Sequence, residues 1–368
     1  MAPEAREAVA RVLTPDDLGR AYIGQGPLCE QFERQFGELI GAPEPPLLLN
    51  SCTSAIDLAL HLIGVGPGDE VITTPITCTA TNSPPALRGA RLVFADVDPL
   101  TGNIDPADVA RKVANKTRAI IAVNWGGRLC DYDALHEIVH YEMGNQSDLI
   151  PIIEDAAHGP YGGNRGHYVC WSFQAIKHLT TGDGGALWVA EHQRQRAKLL
   201  RWYGLDRESG ADFRCAQNIQ EIGYKYQSND IAAAIGLANL PGMAAAVERG
   251  RANAEYYCRW LKDLPGIDVP PYDPACAYWL MTMLVDDRDD FSAYMTERGI
   301  ATSQVHARND KHDAFKAVSE SRGPLPGVDA FDARQVSIPN GWWISDAQRE
   351  YIASAVSKWA MERARRAA

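Results

Sequence analysis

Trp171-Ser-Phe-Gln-Ala-Ile-Lys177-His-Leu-Thr-Thr-Gly-Asp-Gly-Gly185-Ala186 joins a short apolar run ending at Ser172, a lysine five residues later and a glycine-rich turn. About twenty residues upstream, Leu149-Ile-Pro-Ile-Ile-Glu154-Asp155 is another strand-like run, ending in a carboxylate. Five more runs of this kind precede or follow: Leu47–Asn50, Glu70–Thr74, Arg91–Val97, Ala119–Trp125 and Ala186–Ala190. Amphipathic stretches such as Ser54–Ile63 and Pro106–Val113 lie between several of them. That alternation predicts an α/β fold with a mostly parallel sheet covered by helices. Ligands of such sheets bind outside the carboxyl ends of the strands, where Asp155 and Ser172 fall. Helices are expected over Asn229–Leu240, stopped by Pro241-Gly242, and over Ala244–Leu264, stopped by Pro265-Gly266. Tyr278–Val285 reads as a strand and Asp346–Ala367 as a closing helix. The expected division is a large domain over 20–240, a smaller α+β domain over 241–368, and an N-terminal segment over 1–19.

The chain has 368 residues, 46% hydrophobic and 23% charged, a globular composition with room for two domains. Its formal charge of −11 argues against a nucleic-acid or anionic-membrane surface, though not against a local anion site. Cys29, Cys52, Cys78, Cys130, Cys170, Cys215, Cys258 and Cys276 include no C-x-x-C pair and read as reduced thiols. The N-terminus lacks a signal pattern. No apolar run approaches the roughly 20 residues of a membrane span. The cytoplasm is the expected compartment.

A lysine amine and a carboxylate at successive strand ends suit an aldehyde cofactor with a basic ring nitrogen. Lys177 would form the Schiff base and Asp155 would keep a pyridine nitrogen protonated, which points to pyridoxal phosphate (PLP). Once displaced by an incoming amine, Lys177 becomes a free base for proton transfer. Asn50-Ser-Cys-Thr53-Ser54 opens a helix after a strand, so Thr53, Ser54 and the free amides would face a phosphate. A plain helix cap is the alternative reading of that segment. Ser172 is a second candidate phosphate ligand. His136-Glu137-Ile-Val-His140 matches a zinc-binding pattern, but Leu135, Ile138 and Val139 form the apolar stripe and leave both histidines toward solvent. No metal site is expected.

Gly24-Gln-Gly26-Pro27 with Phe32-Glu33, Ser51–Leu60, Pro67-Gly-Asp69-Glu-Val-Ile, Ala95-Asp96-Val-Asp98, Glu154-Asp-Ala-Ala, Ser172–Ala186 and Asn229–Gly236 occur in the order seen in one family. The chain resembles the DegT-type PLP-dependent nucleotide-sugar aminotransferases, of the aspartate-aminotransferase fold (PLP fold type I). The resemblance spans most of residues 20–240 and is looser beyond. It implies a seven-stranded sheet, a small C-terminal domain and a homodimer with shared active sites. It also implies transfer of an amino group, from glutamate or another amino acid, to a keto carbon of a nucleotide-linked deoxysugar. The cofactor would alternate with pyridoxamine 5′-phosphate.

Four positions depart from the family pattern. Cys78 stands where a ring-stacking aromatic is usual. His158 stands where a glutamine contacts the cofactor's phenolic oxygen region, and its charge would depend on pH. Lys225 replaces an asparagine that reaches the neighbouring subunit's phosphate, and Asn124 replaces a histidine. His306, Arg308, Asn309 and Lys311 form a polar cluster suited to a sugar diphosphate or to a solvated loop. Trp342-Trp343 could stack on a base or sugar, although core packing is the commoner use. Two other readings remain. One is a pyridoxamine-phosphate-dependent sugar dehydratase, in which histidine replaces the lysine. The other is a non-catalytic regulator, disfavoured by the acidic charge and the complete catalytic set.

Overall fold

Each of the seven strand candidates becomes a strand of one sheet in the computed structural model, which describes residues 1–16, 24–142, 149–160, 165–209 and 213–367. They are β1 (Leu47–Leu49), β2 (Glu70–Thr73), β3 (Arg91–Phe94), β4 (Thr117–Val123), β5 (Ile152–Asp155), β6 (Tyr168–Ser172) and β7 (Gly185–Val189). A second, antiparallel sheet is formed by β8 (Ile267–Asp268), β9 (Met281–Val285) and β11 (Gln335–Ile338). Between β9 and β11 in sequence, β10 (Ser319–Glu320) returns to the first sheet and pairs parallel with β3. The large sheet therefore has eight strands, in the order β1-β7-β6-β5-β4-β2-β3-β10, and not the expected seven. A two-residue strand supplied from the far end of the chain has no periodicity to reveal it.

β2 through β6 run parallel, while β7 lies antiparallel to both β6 and β1. Successive strand side chains point to opposite faces, so both faces of the parallel strands must be apolar. Ile121 and Ile153 pack against Ala55, Ile56 and Leu58 of the helix that begins at Cys52. Ile120, Ala122 and Ile152 pack on the other face with Val109, Leu135 and Val139. The register pairs Val123 with Asp155 and Asp155 with Cys170, which lines up the carboxyl ends of β4, β5 and β6.

Four N-terminal helices frame the sheet: α1 (Ala5–Leu13), α2 (Pro27–Ile40), α3 (Cys52–Ile63) and α4 (Thr79–Leu87). Glu33 of α2 accepts from the Leu48 amide (2.8 Å) and pairs with buried Arg201 (2.6 Å), tying that helix to β1. The helices Asp230–Asn239 and Met243–Leu261 are separated by a tight turn over Leu240–Gly242, where the expected domain division falls. Residue 20, the expected start of the large domain, lies outside the described residues. By length and composition Asp230–Leu261 is apolar enough to cross a membrane, contrary to the expectation that no run would be. In the fold its first helix, Asp230–Asn239, packs against α1 and α2. The second sheet buries Met283 with Tyr257, Phe291 and Trp359. A further cluster joins Phe94 of β3 and Trp125, just after β4, to Leu284, Phe315 and Phe331, so the C-terminal third packs onto the large sheet.

Candidate active site

Asp155 ends β5 and is 3% exposed. Its carboxylate accepts from the Thr81 hydroxyl (2.8 Å) and the Ala157 amide (3.0 Å), with Cys52 Sγ at 3.9 Å. Burial raises its pKa, against the opposing pull of these donors and of Lys177. Thr81 is itself bonded to Thr77 Oγ1 (2.9 Å), so the turn into α4 supports the acid. Thr81 has no role in the sequence analysis, although it lies three residues after Cys78.

Lys177 lies in the loop between β6 and β7. No hydrogen bond or ion pair holds its Nζ among the described residues. Nζ sits over the Trp279 ring, 3.7 Å from its centroid. Desolvation lowers its pKa to about 8, against the raising influence first of Asp155 and then of Cys52 and Cys78. Amine and carboxylate are thus within electrostatic reach of one another at the carboxyl edge of the sheet.

The N-terminus of α3 faces the same region. Ser51 is the capping residue, and its Oγ accepts from the Ser54 amide (3.0 Å). Ser54 is buried and donates to Asn50 Oδ1 (2.6 Å), so its hydroxyl serves the cap. The amides of Cys52 and Thr53 have no partner within the helix. Gly185 begins β7 directly behind this turn. A Cβ there would lie 2.3 Å from Ser51 C and 2.4 Å from Cys52 N, so only glycine lets β7 back onto the helix start. Gly185→Ala is expected to cost about 1–3 kcal/mol through overpacking. It should also weaken binding of phosphate-bearing ligands. A thermal melt and a phosphate-binding titration matching the parent protein would contradict that role.

His158 is buried, and its Nδ1 accepts from the Gly126 amide (3.2 Å). Burial first, then Lys177, His306 and His178, push its pKa well below the usual histidine range. Burial thus disfavours the charged ring, and with Nδ1 accepting, its proton lies on Nε2, free to donate. His178 and His306 are each pushed down to about 4, chiefly by burial and then by Lys177. Gly126 (φ +62°) and Gly127 (φ +94°) form the turn that also binds Trp279 N and Ala277 N. A Cβ on Gly127 would lie 2.7 Å from His158 O.

The other expected residues separate. Ser172 ends β6 beside the lysine loop and accepts weakly from the Gln174 amide (3.5 Å). Cys78 is half-buried just before α4 and presents no ring; a ring that does lie against the Lys177 amine is that of Trp279. Lys225 is exposed, and its carbonyl accepts from Asn50 Nδ2 (3.1 Å), which places it beside the α3 turn. Asn124 is an internal tie, donating to Glu154 (2.9 Å) and accepting from Tyr132 (3.0 Å).

Of the 306–311 cluster only His306 faces Lys177, its ring 6.2 Å from His158. Arg308 is buried and paired with Asp310 and Asp329, so its charge is not open to a diphosphate. Asn309 is fully buried, donating to Thr77 O (2.8 Å) and accepting from Asn82 (2.9 Å). Both act as fasteners between loops. Lys311 is exposed. Trp342 and Trp343 are 42% and 64% exposed, against the core packing usual for such pairs. His136 bonds Arg165 O (2.7 Å), while the His140 side chain lies outside the described residues. No group of three potential metal ligands occurs among the described residues.

The model of the DegT/DnrJ/EryC1/StrS aminotransferase family matches residues 4–357. A dTDP-4-dehydro-2,3,6-trideoxy-D-glucose 4-aminotransferase from Saccharopolyspora spinosa is 32% identical over 96% of this chain and 94% of that protein. Among solved structures, AtS13 from Actinomadura melliaura is 36% identical with a TM-score of 0.89, covering 97% of this chain and 96% of that one. The sugar aminotransferase CalS13 from Micromonospora echinospora is 33% identical with a TM-score of 0.89, covering 97% of each. The largely parallel sheet is that of PLP fold type I. With both the fold and nearly the full length of the chain matched, the protein belongs to the DegT/DnrJ/EryC1/StrS aminotransferase family.

Proposed function

We propose that the protein transfers an amino group from an amino acid, glutamate in the first instance, to a keto carbon of a nucleotide-linked deoxysugar, with PLP as cofactor. The observation that carries this reading is the meeting of the desolvated Lys177 amine with the buried Asp155 carboxylate at the strand ends. The residues fit the cofactor. Asp155 has no cationic hydrogen-bond partner among the described residues and burial disfavours its charge, so a pyridinium N–H would satisfy it. The Cys52 and Thr53 amides suit a phosphate, and His158 Nε2 suits a phenolic oxygen. When bound, the ring takes up the electron pair left as a substrate Cα–H bond breaks. Asp155 holds the proton on the ring nitrogen. Lys177, its pKa lowered to about 8 by desolvation, can take and return the proton at the substrate carbon.

The active unit proposed is a homodimer, with exposed Lys225 reaching the neighbour's cofactor phosphate. The dTDP-linked 4-keto sugar in the name of the Saccharopolyspora relative is the first substrate to test. Incubating the protein with PLP, glutamate and a panel of nucleotide-linked keto-sugars decides the matter. An aminated sugar supports the proposal. A deoxygenated keto product would transfer support to the dehydratase. Protein that stays colourless and takes up no PLP would end both readings.

A further inference from the structure

Trp279 comes from the C-terminal third, yet its ring lies against the Lys177 amine. The contact has two parts. The ring lies under Nζ at 3.7 Å. The indole Nε1–H donates to the carbonyl of Ile176, the residue before the lysine, at 3.0 Å. We propose that Trp279 is a positioning residue for Lys177, its ring shielding the amine from water and its N–H tethering the loop that carries it.

Trp279 is itself firmly held. Its backbone amide donates to Gly126 O (2.9 Å), and Ala277 N to Gly127 O (3.1 Å), so the segment is bridged to the turn after β4. Its ring stacks on His158 at 4.3 Å with 24° between planes. A wall so fixed can hold a flexible lysine in one place, whereas an unpaired lysine would otherwise turn toward solvent. The groups facing Lys177 are Asp155 from β5, Cys52 from α3, Cys78 before α4, and His158, His178 and His306 from three loops. Asp155 is the one carboxylate among them, and burial disfavours its charge. Removing the ring therefore admits water as the main change, and water favours the protonated amine.

The proposal deepens the reading above and rests on it for the use made of the amine. Its test does not depend on PLP chemistry. The full chain, freed of bound aldehyde with hydroxylamine, is acetylated competitively across pH 6–11, and the Lys177 peptide is followed by mass spectrometry. Near neutral pH, Trp279→Ala is expected to slow acetylation of Lys177 about tenfold, as its titration moves up by about one pH unit. Trp279→Phe, which keeps a ring, should stay within about twofold of the parent. Trp279→Gln, which keeps a donor for Ile176 O without the ring, should behave like Trp279→Ala and substitutes for it if that variant does not fold. Parent-like titration of Lys177 in both ring-less variants would overturn the proposal. So would a Phe variant as slow as Ala.

Discussion

Lys177→Met protein is expected to fold, to be more heat-stable than the parent when cofactor-free, and to lose transamination by about 10³-fold or more. The loss follows from removing both the covalent anchor and the base at the substrate carbon. The gain in stability follows from desolvation. The amine titrates at about 8 in the fold, against an ordinary value of 10.5. At neutral pH that difference costs the folded state about 3 kcal/mol. The sign is clear: a base whose folded pKa is depressed destabilises the fold below that pKa, and the penalty fades as pH rises from about 8 to 10.5. Melting curves of parent and variant should therefore converge across that window. A gap between variant and parent that is the same at pH 7 and pH 10.5, or a variant that still turns over, would contradict the assignment.

Asp155→Asn is the second substitution with a large expected effect. The asparagine oxygen can still accept from Thr81 and Ala157, so the local turns should survive. What disappears is the negative charge that holds a ring nitrogen protonated, and turnover should fall by about 10²–10⁴-fold. Because burial raises the Asp155 pKa, its ionised form weakens the fold. That penalty is absent below the ordinary carboxylate pKa and sets in as pH rises through the folded value. The cofactor-free variant should therefore melt above the parent at neutral pH and match it in acid. Thr81→Val offers a graded control: it removes one hydrogen bond to the charge, worth about 1.5–3 kcal/mol, and leaves the charge in place. An Asp155→Asn protein with parental turnover would remove Asp155 from the mechanism.

Histidine content alone says little about pH response here. Three imidazoles face one lysine, and all three are held neutral near physiological pH, two of them at about 4. Burial and mutual proximity to a cation decide this, and neither can be read from the identity of positions 158, 178 and 306. The same holds for the tether at Trp279. Its partner carbonyl is 103 positions away in sequence, and the residue carries no local signal beyond its place near the start of an expected strand.

Seven of the eight strands of the large sheet were legible because strands buried on both faces need continuous apolar runs, and glycine, proline and polar residues interrupt them. The seat of the site was legible for the same reason. Lys177 and Asp155 follow such runs, and parallel sheets bring strand ends together. The α3 turn was legible as a helix start, whether cap or anion cradle. The fold then divided the labour: Ser51 and Ser54 make the cap, and the amides of Cys52 and Thr53 remain open. Residues 306–311 show the opposite case. Arg308 and Asn309 read as candidate ligands because polar side chains look alike in a linear chain. Tertiary packing turned them inward, with Asn309 meeting Asn82 across 227 positions. Local periodicity and strand-end chemistry, both short-range in the chain, were thus determined by the sequence itself. Which polar groups stay open, which histidines stay neutral and which ring covers the lysine depend on burial, and burial exists only once distant segments are packed together.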